Sequence, residues 1–282
     1  LQHAGIDPGF LVGGVPQNQN GSYALGADAP FVIEGDEYDS AYFDKRPKFM
    51  HYRPQCAVVT SVEFDHADIF ENEADYRQAF ERFVGLLDPD GLLALCGDAP
   101  AVRALAAHTD ATVCTYGLDD SNDVRAVDLT ASPDGQHFTL RLDGASADVT
   151  FPMHGRHNVQ NALAAAVLAH REGVSVAQIA EGLASFEGMK RRQEVRGEPG
   201  GVLVLDDFAH HPTAVEATLQ AVRAATRWTK AYSPRERLML ANGRLPIVTT
   251  ATVRMQSRAY AGRQYPRRAD LPRVRESRRQ TR

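Results

Sequence analysis

The chain has 282 residues, 43% hydrophobic and 24% charged, a composition that excludes a disordered polar chain and suits one large domain or two ordinary ones. No apolar run reaches the roughly 18 residues of a membrane-spanning helix, and Leu1-Gln2-His3 opens no targeting stretch, so a cytoplasmic protein without a membrane partner is expected. The net charge of -5 hides a partition, because residues 226–282 carry 15 Lys and Arg against three acids, +12, which leaves -17 for residues 1–225.

In chain order, Gly13-Gly14-Val15-Pro16 is loop chemistry that reads as mid-domain, with no element expected before it. Phe31-Val32-Ile33 and Ala57-Val58-Val59-Thr60 are short continuous apolar runs, as in parallel strands buried on both faces. Tyr76, Phe80, Phe83 and Leu87 recur at helical spacing, and after Asp88-Pro89-Asp90-Gly91 comes a further strand, Leu92–Cys96. The alternation continues through a helix over Ala99–Ala107 and a strand over Thr112–Tyr116. Around Asp143-Gly144 the residues Val124–Met153 read as antiparallel strands. Helices over Val159–His170 and Val176–Leu183, a strand over Val202–Leu205 and a helix over Pro212–Ala225 follow. The pattern predicts an α/β fold, a mostly parallel sheet with flanking helices and ligands beyond the carboxyl ends of its strands. Cys56, Cys96 and Cys114, odd in number and widely spaced, suggest neither disulfides nor a thiolate metal site. Past Ala225 the pattern fades. One possible strand (Leu245–Ala251) stands among scattered prolines and arginines, a composition expected of a disordered or out-of-frame segment rather than of a nucleic-acid-binding arm.

Four motifs carry chemistry. After the first strand, Glu34-Gly35-Asp36-Glu37-Tyr38-Asp39 places four carboxylates within six residues, oxygen donors suited to Mg²⁺ or to a solvated acidic loop. Glu63-Phe64-Asp65-His66-Ala67-Asp68 follows the next strand, so both acidic groups are expected at one sheet edge. In Gly155-Arg156-His157-Asn158-Val159-Gln160-Asn161-Ala162, the amides of Asn158 and Asn161 share a face at a helix start, where they suit a planar ligand such as adenine; Asn158 also reads as an N-cap. Asp206-Asp207-Phe208-Ala209-His210-His211-Pro212 ends a further strand. Its His and Asp suggest zinc, but no third His or Cys stands at ligand spacing.

Together and in this order the four motifs resemble those of the Mur ligase family, over about residues 1–225. The string from Asp36 to Phe70 looks like the branch that couples UDP-N-acetylmuramate to a ready-made murein tripeptide in cell-wall recycling; its L-alanine-adding relative usually has Ser where Tyr38 stands. The resemblance implies an ATP-dependent amide ligase. It implies that Glu34 binds Mg²⁺, that His66 faces a second metal position, and that Asn158 and Asn161 meet the adenine. It further implies Arg192 on the γ-phosphate and Asp207 with His210 at the nucleotide. Imidazole matches so hard an ion poorly, which favours Glu34 over His66 as ligand.

Two departures stand out. Tyr76-Arg77-Gln78-Ala79-Phe80 ends in Phe where some relatives have a carbamylated lysine, and none of Lys45, Lys48, Lys190 and Lys230 follows a glycine as a phosphate loop requires. The expectation is therefore a partial central ATP-binding domain (residues 1–206) whose phosphate loop lies upstream, a junction with the first helix of a ligase domain (207–225) and an aberrant basic tail (226–282). The L-alanine-adding ligase of the same family is the nearest alternative, followed by a folate-polyglutamate-type ligase, a non-catalytic nucleotide-binding remnant and, last, a metal-dependent hydrolase using the Asp and His clusters.

Overall fold

The computed structural model describes residues 1–65, 69–197 and 204–225. Two compact units result, one of residues 1–192 with the segment from Phe208, the other beginning with Gln193–Asp207.

In the first unit, six strands form a sheet in which neighbours in space are neighbours in sequence. Strands β6 (Cys56–Val59), β7 (Leu92–Cys96), β8 (Thr112–Gly117) and the start of β9 (Val124–Ser132) are parallel, whereas β9, β10 (Gly135–Leu142) and β11 (Ala145–Phe151) form an antiparallel meander. All five residues of β7 are buried, as expected of a central parallel strand covered on both faces. The meander turns at Asp143-Gly144, both with positive φ (49° and 74°), the conformation that an Asp-Gly hairpin turn supplies.

The helices bury one stripe each against this sheet. Helix α1 (Glu73–Val84) starts where the Asn72 side chain accepts the Asp75 N–H at 3.0 Å, and it buries Tyr76, Ala79, Phe83 and Val84. After the short α2 (Pro100–Arg103) the chain tightens into a 3₁₀ turn over Ala104–His108, so the helix expected from Ala99 to Ala107 is in two parts. Helix α3 (Arg156–Arg171) buries Val159, Ala162, Leu163, Ala164, Ala166 and Val167. Helix α4 (Val176–Ala184) opens on a capping box between Ser175 and Gln178. Helix α5 (Pro212–Ala225) buries Ala221 and Val222.

Two expectations for the N-terminal region are corrected. A strand, β1 (Pro8–Leu11), precedes the Gly13-Gly14 loop, and it pairs antiparallel with β2 (Tyr23–Ala24) and parallel with β3 (Asp28–Ile33). Strand β3 thus belongs to a separate three-stranded sheet, and Phe31 and Val32 are 54% and 42% exposed rather than buried on both faces. The chain between β3 and β6 is taken up by a hairpin of β4 (Asp39–Ala41) and β5 (Asp44–Pro47) and a 3₁₀ turn at Lys48–His51, so Glu34 and Glu63 do not end neighbouring strands of one sheet. The cysteines are free; Cys96 is buried, Cys56 and Cys114 are half-buried, and burial raises the Cys114 thiol to about 11.

In the second unit, β12 (Glu194–Gly197) pairs antiparallel with β13 (Val204–Asp206). The expected strand of Val202–Leu205 is met from Val204 onward; its first two residues, and the whole tail of 226–282, lie outside the described residues.

Candidate functional site

Glu34 stands where β3 ends. Its backbone N–H donates to the Leu11 carbonyl at 3.0 Å, which extends the β1 pairing by one residue, and its carboxylate accepts the Gly13 N–H. A Cβ on Gly13 would lie 3.0 Å from that carboxylate oxygen, so the absent side chain is what admits the loop this close. Two of the four carboxylates of this stretch are paired to lysines. Asp36 pairs with Lys48 at 2.8 Å and accepts the Tyr38 N–H, while Asp39 pairs with Lys45, so these two hold the β4–β5 hairpin in place. The hydrogen bond from Lys48 to Asp36 raises the ammonium's pKa above its ordinary value. Glu34, exposed and at a strand's carboxyl end, presents oxygen donors to solvent.

His66, with Ala67 and Asp68, lies outside the described residues. Among the described residues no group of three or more His, Cys, Asp or Glu converges as a metal site. Glu63, just before that segment, pairs with His211 at 3.4 Å, so the second and fourth motifs meet through a contact the linear order does not reveal.

Asn158 and Asn161 lie in the first two turns of α3, as the spacing predicts. The N-cap is Gly155 (φ 99°), not Asn158, whose amide instead donates to the His154 carbonyl at 2.8 Å; Asn161 is exposed. Between them Gln160 donates to Asp98 at 2.8 Å and ties the helix start to the end of β7. Asp98 also accepts from the backbone of Leu118 (2.7 Å) and Asp119 (3.1 Å) and from the Asn122 amide (2.7 Å). Burial opposes ionisation of Asp98, but these bonds outweigh it and hold the carboxyl below the ordinary aspartate range. Asp98 is not among the residues expected from the sequence; its signal is a carboxylate two residues after an all-apolar strand, in Cys96-Gly97-Asp98.

The segment 190–192 and the motif after Asp207 come together at Phe208. The Phe208 N–H donates to the Arg191 carbonyl at 2.8 Å. The Arg191 and Arg192 guanidinium carbons lie 4.9 Å and 5.8 Å from the centre of its ring. His210 meets the same ring edge-on at 5.4 Å, and its Nδ1–H donates to the Phe208 carbonyl at 3.1 Å. Asp207 belongs to the second unit, where it is buried and accepts the Gln193 N–H at 2.9 Å. Among the described residues neither His210 nor His211 stands in a zinc-like group.

Comparison with known proteins accords with these motifs. Residues 30–169 match the Mur ligase middle domain, and residues 191–239 match the Mur ligase glutamate ligase domain. The chain is 40% identical over 225 residues to UDP-N-acetylmuramate--L-alanyl-gamma-D-glutamyl-meso-2,6-diaminoheptandioate ligase of Haemophilus influenzae, a match covering 79% of this chain and 49% of that protein. It is 38% identical over 231 residues to UDP-N-acetylmuramate--L-alanine ligase of Mycolicibacterium vanbaalenii, covering 79% and 47%. The crystal structure of a murein peptide ligase from Psychrobacter arcticus superposes with a TM-score of 0.64 at 36% identity, over 79% of this chain and 50% of that one. The chain spans about half the length of the curated relatives it matches.

Proposed function

Because the chain belongs to the Mur ligase family, we propose that it serves an ATP-dependent ligase that joins the carboxylate of UDP-N-acetylmuramate to the amine of L-Ala-γ-D-Glu-meso-diaminopimelate in peptidoglycan recycling. The supporting observation is the set of motifs at the ends of β3, β6, α3 and β13, joined to the Asp36–Phe70 string and to 40% identity with a relative of that name. In this reading the muramyl carboxylate attacks the γ-phosphorus of ATP and ADP leaves; the peptide amine then attacks the acyl carbon and phosphate departs. Asn158 and Asn161 bind the adenine, Arg192 binds the γ-phosphate, and Asp207 and His210 are each assigned to the nucleotide. Glu34 would hold Mg²⁺, and His66 would face a second metal position. The donor chemistry suits Glu34, an exposed carboxylate whose neighbours Asp36 and Asp39 are already paired to lysines. Bound Mg²⁺ supplies neutralisation of the phosphate charge.

Arg192 suits the γ-phosphate because a guanidinium is permanently charged and offers a planar fork of donors. No lysine of these 282 residues follows a glycine, so the phosphate-cradling lysine is not among them. The chain by itself is therefore expected to release no phosphate above background from UDP-N-acetylmuramate, tripeptide, Mg²⁺ and ATP. Turnover near about 1 to 1,000 per second would refute that reading of the lysines.

The L-alanine-adding reaction is the second reading, favoured by the 38% identity to a ligase of that name. Competition between tripeptide and L-alanine in a protein carrying this sequence behind a phosphate loop decides between them. Tripeptide-dependent product alone supports the first reading.

A further inference from the structure

Phe208 has no role in the reading above, yet it is where two separate stretches of sequence meet. Phe208 is 42% exposed, so burial gives it little reason to be aromatic. Around it stand Arg191, Arg192 and His210, at 4.9, 5.8 and 5.4 Å from the ring centre. The backbone supports the same grouping. Arg191 adopts a left-handed conformation (φ 59°), unfavourable for a non-glycine residue, while its carbonyl accepts the Phe208 N–H at 2.8 Å. The His210 Nδ1–H is directed to the Phe208 carbonyl, which fixes the ring orientation.

We propose that Phe208 is a positioning residue: its ring seats the guanidiniums of Arg191 and Arg192 beside His210 and so builds one cationic platform for the polyphosphate chain of a nucleotide. The proposal rests on the ligase reading for the identity of that ligand. Two long arginine side chains free in water lose rotamer entropy on gripping a phosphate, and an aromatic face that already holds both lowers that cost. Each contact lies within the range at which the ring quadrupole attracts a cation. Arg191 thereby joins Arg192 as a phosphate-facing charge.

The test is titration of the full chain with inorganic triphosphate, followed calorimetrically, for wild type, Phe208→Leu and Phe208→Tyr, with the fold of each checked by circular dichroism. Wild type is expected to bind, and Phe208→Leu to bind about 3- to 30-fold more weakly, the effect of two partly exposed cation–π contacts. Phe208→Tyr, which keeps the aromatic face, should restore binding. If wild type does not bind triphosphate, or a folded Phe208→Leu binds as wild type, or Phe208→Tyr is as weak as the leucine variant, the proposal is overturned. Should Phe208→Leu fail to fold, Arg191→Gln reports instead: weakened binding supports the platform and unchanged binding overturns it. Triphosphate binding in a protein that proves to be no ligase would leave the platform standing and remove only the ligase reading. Ligase activity in which Phe208→Leu leaves the KM for ATP unchanged would do the reverse.

Discussion

Asp98 shows how one carboxylate holds the site's frame. Four donors converge on it from the β8–β9 connection and from Gln160, so it fixes the first turns of α3, and with them Asn158 and Asn161, against the sheet's carboxyl edge. Asp98→Ala strands the Leu118 and Asp119 amides and is expected to cost about 2–4 kcal/mol in urea denaturation. The pH dependence follows from the depressed folded pKa of Asp98. Its contribution is present above the ordinary aspartate pKa and is lost as pH falls through the lower, folded value. Acidification should therefore narrow the stability gap between wild type and Asp98→Asn, and a gap that widens on acidification would contradict the assignment. On the proposed ligase reading, in a protein carrying this sequence behind a phosphate loop, Glu34→Gln keeps an acceptor for the Gly13 N–H but removes the charge, so the Mg²⁺ concentration for half-maximal rate should rise about tenfold or more. An unchanged Mg²⁺ titration would return Glu34 to a solvated acidic loop. The sequence revealed the residue types of this stretch but not their division of labour, because whether Asp36 and Asp39 serve a metal or a hairpin depends on where Lys45 and Lys48 fold back.

At the scale of elements, strongly periodic or fully apolar segments were legible. Strand β7 and helices α1, α3, α4 and α5 fall where the patterns place them, within a few residues. The missed strands are β1, β2, β4, β5 and β12, all four residues or shorter, whose sequences (Pro8-Gly9 or Asp44-Lys45-Arg46-Pro47, for example) have too little alternation to signal a strand. Phe31-Val32-Ile33 misled for a related reason: an apolar run reports a strand but not the sheet it joins. The start of α3 was placed at Val159, three residues late, because Arg156 to Asn158 carry no apolar signal and the helix begins at a glycine instead. Gly155 makes that start possible. It has φ 99°, and a Cβ there would lie 2.7 Å from both the Ala221 Cβ of α5 and the His157 ring. Gly155→Ala should accordingly destabilise by about 2–4 kcal/mol, from backbone strain plus overpacking. A thermal midpoint equal to wild type would show that α3 and α5 yield at this point.

Across the whole molecule, the charge partition of -17 and +12 divides the sequence near residue 225, and what was expected of the tail lies outside the described residues. Among the described residues no helix is long and apolar enough to cross a membrane. The pairing of Glu63 with His211 and the gathering of Arg191, Arg192 and His210 on Phe208 join motifs more than a dozen residues apart, which is why the fold makes one neighbourhood of stretches that the sequence presents separately. The central claim, that this neighbourhood serves carboxylate activation by ATP, is tested most directly by isotope transfer. In a protein carrying this sequence behind a phosphate loop, UDP-N-acetylmuramate labelled with ¹⁸O in its carboxylate is incubated with ATP, Mg²⁺ and the tripeptide, and the released phosphate is weighed by mass spectrometry. Passage through an acyl phosphate predicts one ¹⁸O in each phosphate formed with the amide. Unlabelled phosphate, or amide formed without phosphate release, would contradict the account.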